Sequence, residues 1–497
     1  MRHPRLLVSA AHKSSGKTTL AIGLARALVE RGLAVQTFKK GPDYIDPMWL
    51  ARASGRPCFN LDSHLMHEAE IGALFTSRAA GADVSLVEGN KGLYDGLALD
   101  GSNSNAALAR QLDMPVLLVI DARGMTRGIA PLILGYQAFD PAVRIGGVIL
   151  NQLGGSRHEA KLRAVIEHYT DVPVLGAVQH DSRLAMVERH LGLTPAAEVH
   201  HADRLLAGIA AAVAAQVDLD RVRALADSAS ERIAASLPAP AVAHAVAPTT
   251  RPVRIGIARD ASFGFYYPDD LEALQAAGAT LVPFDTLHDT RLPPVDGLFI
   301  GGGFPEAFMA PLEANTALRA AIRAAVADGL PVYAECGGLM YLARSIRWNG
   351  RVAQMVGAIP GDVVMHERPV GRGYVRLAET DAFPWPSAPA AEKKRANALR
   401  LGHEFHHSEL TQLDPAVRYA YGVQRGHGID GHHDGAIVNN LLASYAHLRG
   451  TGGNRWPQRF VAFVRQVAQA RQGAAEPALA SHPAPSRSPL IQGALAC

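Results

Sequence analysis

Short apolar runs of strand character recur through the first part of the chain, to about residue 225, and helix-patterned stretches separate them. LLVSA (6–10), AVQTF (34–38), VSLVE (84–88), PVLLVID (115–121), GGVILN (146–151) and VPVLGAV (172–178) are the strand-like runs. TTLAIGLARALVERG (18–32) typifies the helical segments between them. Strands alternating with helices imply a parallel, doubly wound α/β sheet, because parallel neighbours need a crossover that a helix supplies. A second such pattern follows in RIGIA (254–258), LVPF (281–284), DGLFIGGG (296–303) and PVYAECGG (331–338).

Between the two patterns, residues 228–252 are rich in Ala and Pro without apolar periodicity, which reads as a linker. The expected organisation is therefore a domain over 1–227, a linker over 228–252 and a domain over 253–470. An Ala-, Pro- and Ser-rich tail over 471–497 is expected to be disordered. A chain of 497 residues is too long for one ordinary core, which agrees with two domains.

Bulk properties exclude several classes. Hydrophobic residues make up 48% and charged residues 19%, a globular composition, and no apolar run approaches the roughly 18 residues that span a bilayer. The N-terminal apolar stretch is too short for an export signal. Cys58, Cys336 and Cys497 are few, odd in number and far apart, so a reducing cytoplasm is expected rather than a disulfide framework. A formal charge of +3 without a basic run gives no ground for nucleic acid as a partner.

Two constellations carry chemistry. Ala11-His12-Lys13-Ser14-Ser15-Gly16-Lys17-Thr18 follows the first strand and opens a helix, in the P-loop pattern except for Ala11 at the first glycine position. Backbone N–H groups at such a helix start cradle phosphate, Lys17 neutralises β/γ oxygens, and Thr18 offers its hydroxyl to Mg²⁺. Acidic clusters follow later strands: Lys39-Lys40-Gly41-Pro42-Asp43-Tyr44-Ile45-Asp46 and Glu88-Gly89-Asn90-Lys91-Gly92-Leu93-Tyr94-Asp95. Ligands of open parallel sheets bind at the carboxyl ends of the strands, so both should face the phosphate loop and hold Mg²⁺ or the acceptor. Read as residues alone, each could also be a solvated turn. Asn151 closes a strand where a nucleotide base could be read.

The second constellation is PVYAECGGLMYLA (331–343): a strand, a turn of small residues and a helix, with Cys336 at the turn. This is the nucleophile-elbow pattern with Cys in place of Ser. The helix start favours the thiolate, Gly337 offers an N–H to an oxyanion, and the loop Gly301-Gly302-Gly303 could supply another. Histidines crowd the following region: His403, His406, His407, His427, His432, His433 and His447. They lack zinc-finger spacing, and spacing alone does not choose a base for Cys336.

The ordered motifs SSGKTT, FKKGPDYIDP, EGNKGLYDG, DARGMTRG, LNQLGGSRHE, ERHLGL, FGFYYPDDL, GGGFPEAF, ECGGLMYL and GHEFHHSE resemble those of the cobyrinic acid a,c-diamide synthases, from about residue 5 to residue 450. That resemblance implies a P-loop NTPase-like, dethiobiotin-synthetase-like ATP domain fused to a class I, flavodoxin-like glutamine amidotransferase domain. It implies ATP and Mg²⁺, a tetrapyrrole polycarboxylate and L-glutamine as partners, no membrane, and an assembly compatible with a homodimer. By position, ATP falls on Ser14, Ser15, Gly16, Lys17, Thr18, Thr19 and Asn151, and the metal on Thr18 and Glu88. Substrate falls on Lys39, Asp43, Tyr44, Asp46 and Asp95. Cys336 is the implied nucleophile, His447 in the ASYAHL segment its base, and Gly302, Gly303 and Gly337 line the oxyanion; His406 is the alternative base.

The implied reaction is ATP-driven amidation of the a and c acetate side chains of a cobyrinic acid-type tetrapyrrole, in cobalamin biosynthesis. The chain departs from the family's pattern in places. Class I amidotransferases carry Glu two residues after the histidine, where this chain has Arg449, so a Cys336–His447 dyad is expected. Asn90 and Lys91 stand where the family reads EGVMGLFDG, and Lys40 replaces an apolar residue. These changes put charge beside the acceptor and make sirohaem or a metallated sirohydrochlorin the rival substrate. A P-loop partitioning or cofactor-delivery ATPase would account for the first domain and leave Cys336 idle. A non-catalytic scaffold would need neither Lys17 nor Cys336.

Overall fold

The computed structural model describes residues 3–230, 252–386 and 399–475, apart from positions 183, 184, 187, 190, 191 and 200. Most of the expected linker and tail lies outside the described residues. The first domain has strands Arg5–Ala10 (β1), Val35–Lys40 (β2), Phe59–Leu61 (β3), Val84–Glu88 (β4), Val116–Asp121 (β5), Ile145–Leu153 (β6) and Val174–Gln179 (β7). They form one parallel sheet in the order β3-β2-β4-β1-β5-β6-β7. Its helices are Lys17–Glu30 (α1), Ile45–Ser54 (α2), Glu68–Ala79 (α3), Asn105–Gln111 (α4), Ile129–Phe139 (α5), Ser156–Tyr169 (α6), Ala202–Gln216 (α7) and Leu219–Asp227 (α8).

Side chains of a strand alternate between the sheet's faces, and β1 feeds two cores accordingly. Leu6, Val8 and Ala10 pack with α1, α2, α7 and α8, while Leu7 packs with α3, α4, α5 and α6. Burial on both faces is why these strands read as unbroken apolar runs. Strand β3 is three residues long and gave no such run. Side-chain caps start α4 and α8: Ser104 accepts the Ala107 N–H, and Asp218 the Arg221 N–H. A short hairpin, Glu188–Arg189 (β8) and Gly192–Leu193 (β9), precedes α7.

The second domain is built on a ten-stranded sheet of order β12-β10-β13-β15-β24-β23-β22-β19-β20-β25. These strands are Val253–Ala258 (β10), Ala279–Phe284 (β12), Gly297–Ile300 (β13), Val332–Glu335 (β15), Gly371–Glu379 (β19), Arg400–His406 (β20), Arg418–Arg425 (β22), His433–Val438 (β23), Leu441–Ser444 (β24) and His447–Leu448 (β25). From β12 to β24 the neighbours run parallel, as a flavodoxin-like sheet requires. From β24 to β25 they are antiparallel. Helices Pro268–Ala276 (α9), Met309–Ala314 (α10), Thr316–Ala327 (α11), Gly337–Leu342 (α12) and Trp456–Ala475 (α13) cover the parallel part. Helix α13 runs five residues past the expected domain end at 470. Phe263–Phe265 (β11) pairs with Gly302–Gly303 (β14), and Ser345–Trp348 (β16), Arg351–Gln354 (β17), Asp362–Met365 (β18) and Ser408–Thr411 (β21) make a small side sheet.

The antiparallel half curls back on the parallel half. Strand β25 begins three residues after β24 ends, yet it pairs with β20 at the far end of the sheet. Three residues reach no more than about 11 Å. The last strands are therefore folded over the carboxyl end of β24, beside β15. The two domains share an apolar cluster in which Tyr44 and Ile45 of the first meet Phe265, Tyr267 and Phe304 of the second. Among the described residues, no helix is long and apolar enough to cross a membrane.

Candidate active sites

The sheet order of the first domain places the phosphate loop at a switch point. Strand β1 lies between β4 and β5, so the loop after it opens beside the end of β4. Gly16 has φ 79°, a left-handed turn into α1. A Cβ at Gly16 would come within 2.2 Å of Asn151 Nδ2. Asn151 Nδ2 donates to the Ser15 carbonyl at 2.9 Å, so this strand-end amide braces the loop.

Register then assembles the carboxylates. Lys39 and Glu88 are direct partners across β2 and β4, and Glu88 also pairs with Val8 of β1. Lys17 Nζ lies 2.7 Å from Glu88 Oε1, and the Thr18 hydroxyl donates to the same oxygen at 2.6 Å. Lys39 Nζ is 2.5 Å from Asp46, 3.2 Å from Glu88 and 3.7 Å from Asp43. Burial opposes the charge of Lys39, but Asp46, Glu88 and Asp43 outweigh it and hold the amine protonated. Burial likewise opposes ionisation of Glu88, and Lys17 with Lys39 outweighs it, holding the carboxyl down to about 2.

Asp46 goes the other way. Burial and then Asp43 push it up to about 7, although Lys39 is its closest partner. Two lysines face three carboxylates, so one negative charge is in excess, and Glu88 takes most of the compensation. The Glu88 Oε2 atom is buried with no hydrogen-bond partner. An unpaired buried carboxylate oxygen beside a threonine hydroxyl and an excess negative charge is a donor set suited to a small divalent cation, which seeks one or two carboxylates.

The remaining expected substrate residues separate. Lys39 is buried inside the carboxylate cluster. Asp95 is exposed at the mouth, with one oxygen accepting the Gly92 N–H at 2.9 Å. Tyr44 is not in the acceptor cleft: its ring is turned into the amidotransferase domain, stacked on Phe265 at 5.3 Å and lying 5.2 Å from the His447 ring. The departures at Lys40 and Asn90 touch each other, Nζ to Oδ1 at 3.3 Å, and Lys40 also donates to the Asn103 carbonyl at 2.6 Å. Burial pulls the Lys40 amine down to about 8. Lys40 therefore props the loop from beneath, whereas Lys91 is exposed, with φ 42°. Of the residues expected to add charge at the cleft, Lys91 is the exposed one.

In the second domain the sheet order explains the other site. Cys336 follows β15, whose neighbours β13 and β24 lead into Gly301–Gly303 and into His447. Cys336 has φ 48° and ψ −102°, a strained turn between strand and helix, and its N–H is held by the Ser444 carbonyl at 2.7 Å. His447 is buried, and the strand-end turn that carries it faces the elbow: the Cys336 N–H is held by Ser444, three residues before His447. Burial opposes the charge of His447, but Cys336 and Glu335 outweigh it and push the imidazole up to about 10. The glycines are there for space. A Cβ at Gly302 would come within 2.6 Å of His447 Cε1, and one at Gly337 within 2.8 Å of the Gly303 nitrogen. The Gly303 backbone is thus packed tightly against the turn that follows Cys336.

His406 is placed elsewhere. Its Nδ1 pairs with the Ser408 carbonyl at 2.7 Å, and its ring stacks on Tyr445 at 3.9 Å. His403 is the histidine that reaches the site, paired with His447 across β20 and β25 and stacked on it at 4.9 Å. Burial, then His447 and Arg449, hold His403 well below its ordinary value, so it is neutral there. Beside the expected Cys336–His447 dyad, Glu335 Oε2 lies 3.3 Å from His447 Nδ1. The sequence did carry a signal for Glu335: a carboxylate at the end of an otherwise apolar strand, directly before the nucleophile.

Fold and site together define a P-loop enzyme joined to a glutamine amidotransferase: an ATP-driven carbon–nitrogen ligase that takes its nitrogen from glutamine. Residues 7–193 match the CobQ/CobB/MinD/ParA nucleotide binding domain, and residues 254–454 the CobB/CobQ-like glutamine amidotransferase domain. The cobyrinate a,c-diamide synthase of Magnetococcus marinus is 45% identical over 94% of this chain and 98% of its own length. That of Methanosarcina acetivorans is 44% identical over 90% of this chain and 92% of its own, and that of Archaeoglobus fulgidus 40% identical over 92% and 97%. The chain belongs to the cobyrinate a,c-diamide synthase family.

Proposed function

We propose that this protein amidates the a and c acetate carboxylates of cobyrinic acid, using ammonia released from glutamine at Cys336 and ATP bound at residues 14–19. The observation that carries the reading is that one chain brings together a Cys336–His447 pair at a strained elbow and a Lys17–Thr18–Glu88 cluster at a phosphate loop. Each alone would suit other enzymes; together they suit amide synthesis.

At the elbow, the Cys336 thiolate attacks the side-chain amide carbon of glutamine. The N–H groups of Gly303 and Gly337 receive the oxyanion, and His447 gives its proton to the departing nitrogen. Water then releases glutamate from the thioester, with His447 as base. Ammonia is freed without any use of ATP, so the two half-reactions are chemically separable.

At the phosphate loop, Lys17 and the N–H groups at Ser15, Gly16 and Thr18 hold the phosphates, and Asn151 keeps the loop in register for adenine. Thr18 and Glu88 would hold Mg²⁺, which neutralises phosphate charge when bound. A substrate carboxylate oxygen displaces ADP from the γ-phosphorus to form an acyl phosphate. Ammonia attacks its carbonyl and phosphate leaves, a far better leaving group than hydroxide. Asp43, Asp46 and exposed Asp95 border the acceptor, and Asp46 can take the proton that the attacking ammonia loses.

Exposed Lys91 is the observation that keeps sirohaem or a metallated sirohydrochlorin as the competing substrate. Mass spectrometry of products from cobyrinic acid, hydrogenobyrinic acid, sirohydrochlorin and sirohaem, each with ATP and glutamine, tests the assignment. A mass change of two amidations on cobyrinic acid is expected. Amidation confined to sirohaem or sirohydrochlorin would overturn it.

A further inference from the structure

We propose that Glu335 is the positioning acid of the glutaminase, filling from the residue before the nucleophile the role that class I amidotransferases give to the position two after the histidine. Position 449, where that acid would stand, is arginine and faces the other way. Its guanidinium donates to the Asn60 carbonyl at 2.7 Å and to Asp269 at 2.8 Å and lies over the Tyr267 ring. It ties the two domains together and has no acceptor to offer His447.

Glu335 is built for the role. Only 2% of it is exposed. A buried carboxylate must be met by donors or a cation. Oε1 accepts from the Tyr333 hydroxyl at 2.6 Å and from the Leu448 N–H at 2.9 Å, which ties the acid to the strand that carries His447. Oε2 is left for His447 Nδ1 at 3.3 Å, a charge contact set too obliquely for a full hydrogen bond.

The chemistry follows from which nitrogen is held. With Nδ1–H directed at Glu335, Nε2 is the nitrogen left for the Cys336 thiol. The proton moves from sulfur to Nε2 and from there to the departing ammonia, and Glu335 keeps its charge throughout. The other groups around the imidazole do not compete for this role. His403 is neutral, and Tyr44 presents its ring. A negative charge beside Nδ1 favours the imidazolium that pairs with the thiolate, which agrees with the raised value of His447.

The alternative is that Glu335 merely anchors strands through Tyr333 and Leu448. Glu335→Gln keeps an oxygen for both of those bonds and loses the charge, so it separates the two roles. The proposal rests on the amidotransferase reading; a wild-type chain that releases no glutamate from glutamine would defeat that reading, not this residue's role. In the full-length protein, E335Q is expected to lower glutaminase kcat on the order of 10²-fold with KM little changed. The alkaline limb of the kcat profile, and of Cys336 alkylation by iodoacetamide, is expected to fall by about one pH unit, because His447 loses the charge that holds its proton. Ammonia-supported amide formation reports that the protein is folded. E335Q with an unchanged kcat and an unchanged alkaline limb would overturn the proposal. Should E335Q not fold, E335D must show the displaced limb, and a wild-type limb there would overturn it equally.

Discussion

Tyr44 of the ATP domain and His447 of the amidotransferase domain lie ring against ring, with centroids 5.2 Å apart. Tyr44 sits between Asp43, whose carboxylate caps the start of α2, and Asp46, which meets Lys39 at the phosphate site. Asn60 holds this same loop through the Gly41 and Asp43 carbonyls, and its own carbonyl is held by Arg449, two residues from His447. A movement of the acidic loop therefore cannot leave His447 untouched. Tyr44→Leu is expected to raise the glutamate released per amide formed by about threefold or more, while Tyr44→Phe, which keeps the ring, stays near the wild-type ratio. Parallel assays of glutamate and product measure it; a Leu variant with the wild-type ratio and a raised tetrapyrrole KM would instead return Tyr44 to the substrate site.

Cys336→Ser should abolish synthesis with glutamine and spare synthesis with a high concentration of ammonium salt. The elbow only makes ammonia, and the other domain makes the bond. Amide formation with each nitrogen source is the measurement, and equal loss with both would contradict a two-site enzyme.

The two candidate histidines should rank clearly. His447→Ala is expected to cut glutaminase turnover by roughly two orders of magnitude or more, the scale of general-base catalysis. His406→Ala should do less, since its Nδ1 is engaged with Ser408 and its ring with Tyr445. Glutamate release from each variant gives the ranking.

Lys17→Ala should remove ligation with either nitrogen source, because ammonia needs an acyl phosphate to attack. The same change leaves Glu88 without its closest cation, and Asp46 and Glu88 then compete for Lys39 alone. Glutamine hydrolysis without tetrapyrrole should persist. Ligation retained at saturating ATP would show that residues 11–18 are not the catalytic phosphate loop.

Substrate choice should respond to the loop at the cleft mouth. Asn90→Val with Lys91→Met removes the exposed ammonium and one of the two acceptors of Lys40, and it should shift the ratio of kcat/KM for cobyrinic acid over sirohaem without affecting glutaminase activity. A ratio changed by less than about threefold, under the free energy of one good polar contact, would mean the loop does not select the tetrapyrrole.

Much of the architecture was legible because it is written in local pattern. Apolar runs buried on both sheet faces marked the parallel strands, and the small residues around Gly16 and Cys336 marked the two turns, since only certain backbones make them. The antiparallel strands Gly371–Glu379, Arg400–His406 and Arg418–Arg425 were not foreseen, because their side chains are partly exposed and carry no unbroken apolar run.

What residue order determined by itself was the inventory: a phosphate loop with carboxylates at strand ends, a nucleophile at an elbow, and a surplus of histidines. What only the tertiary structure decided was which of them meet. The curl of the amidotransferase sheet lays β25 along β20 and sets His447, not His406, beside Cys336. Register across β2 and β4 put Lys39 against Glu88, and the domain contact turned Tyr44 away from the acceptor cleft. Glu335 precedes Cys336 in the chain, yet its partner lies 112 residues further on. Such pairings are absent from spacing because they are fixed by strand order and sheet closure, which depend on how the cores pack together.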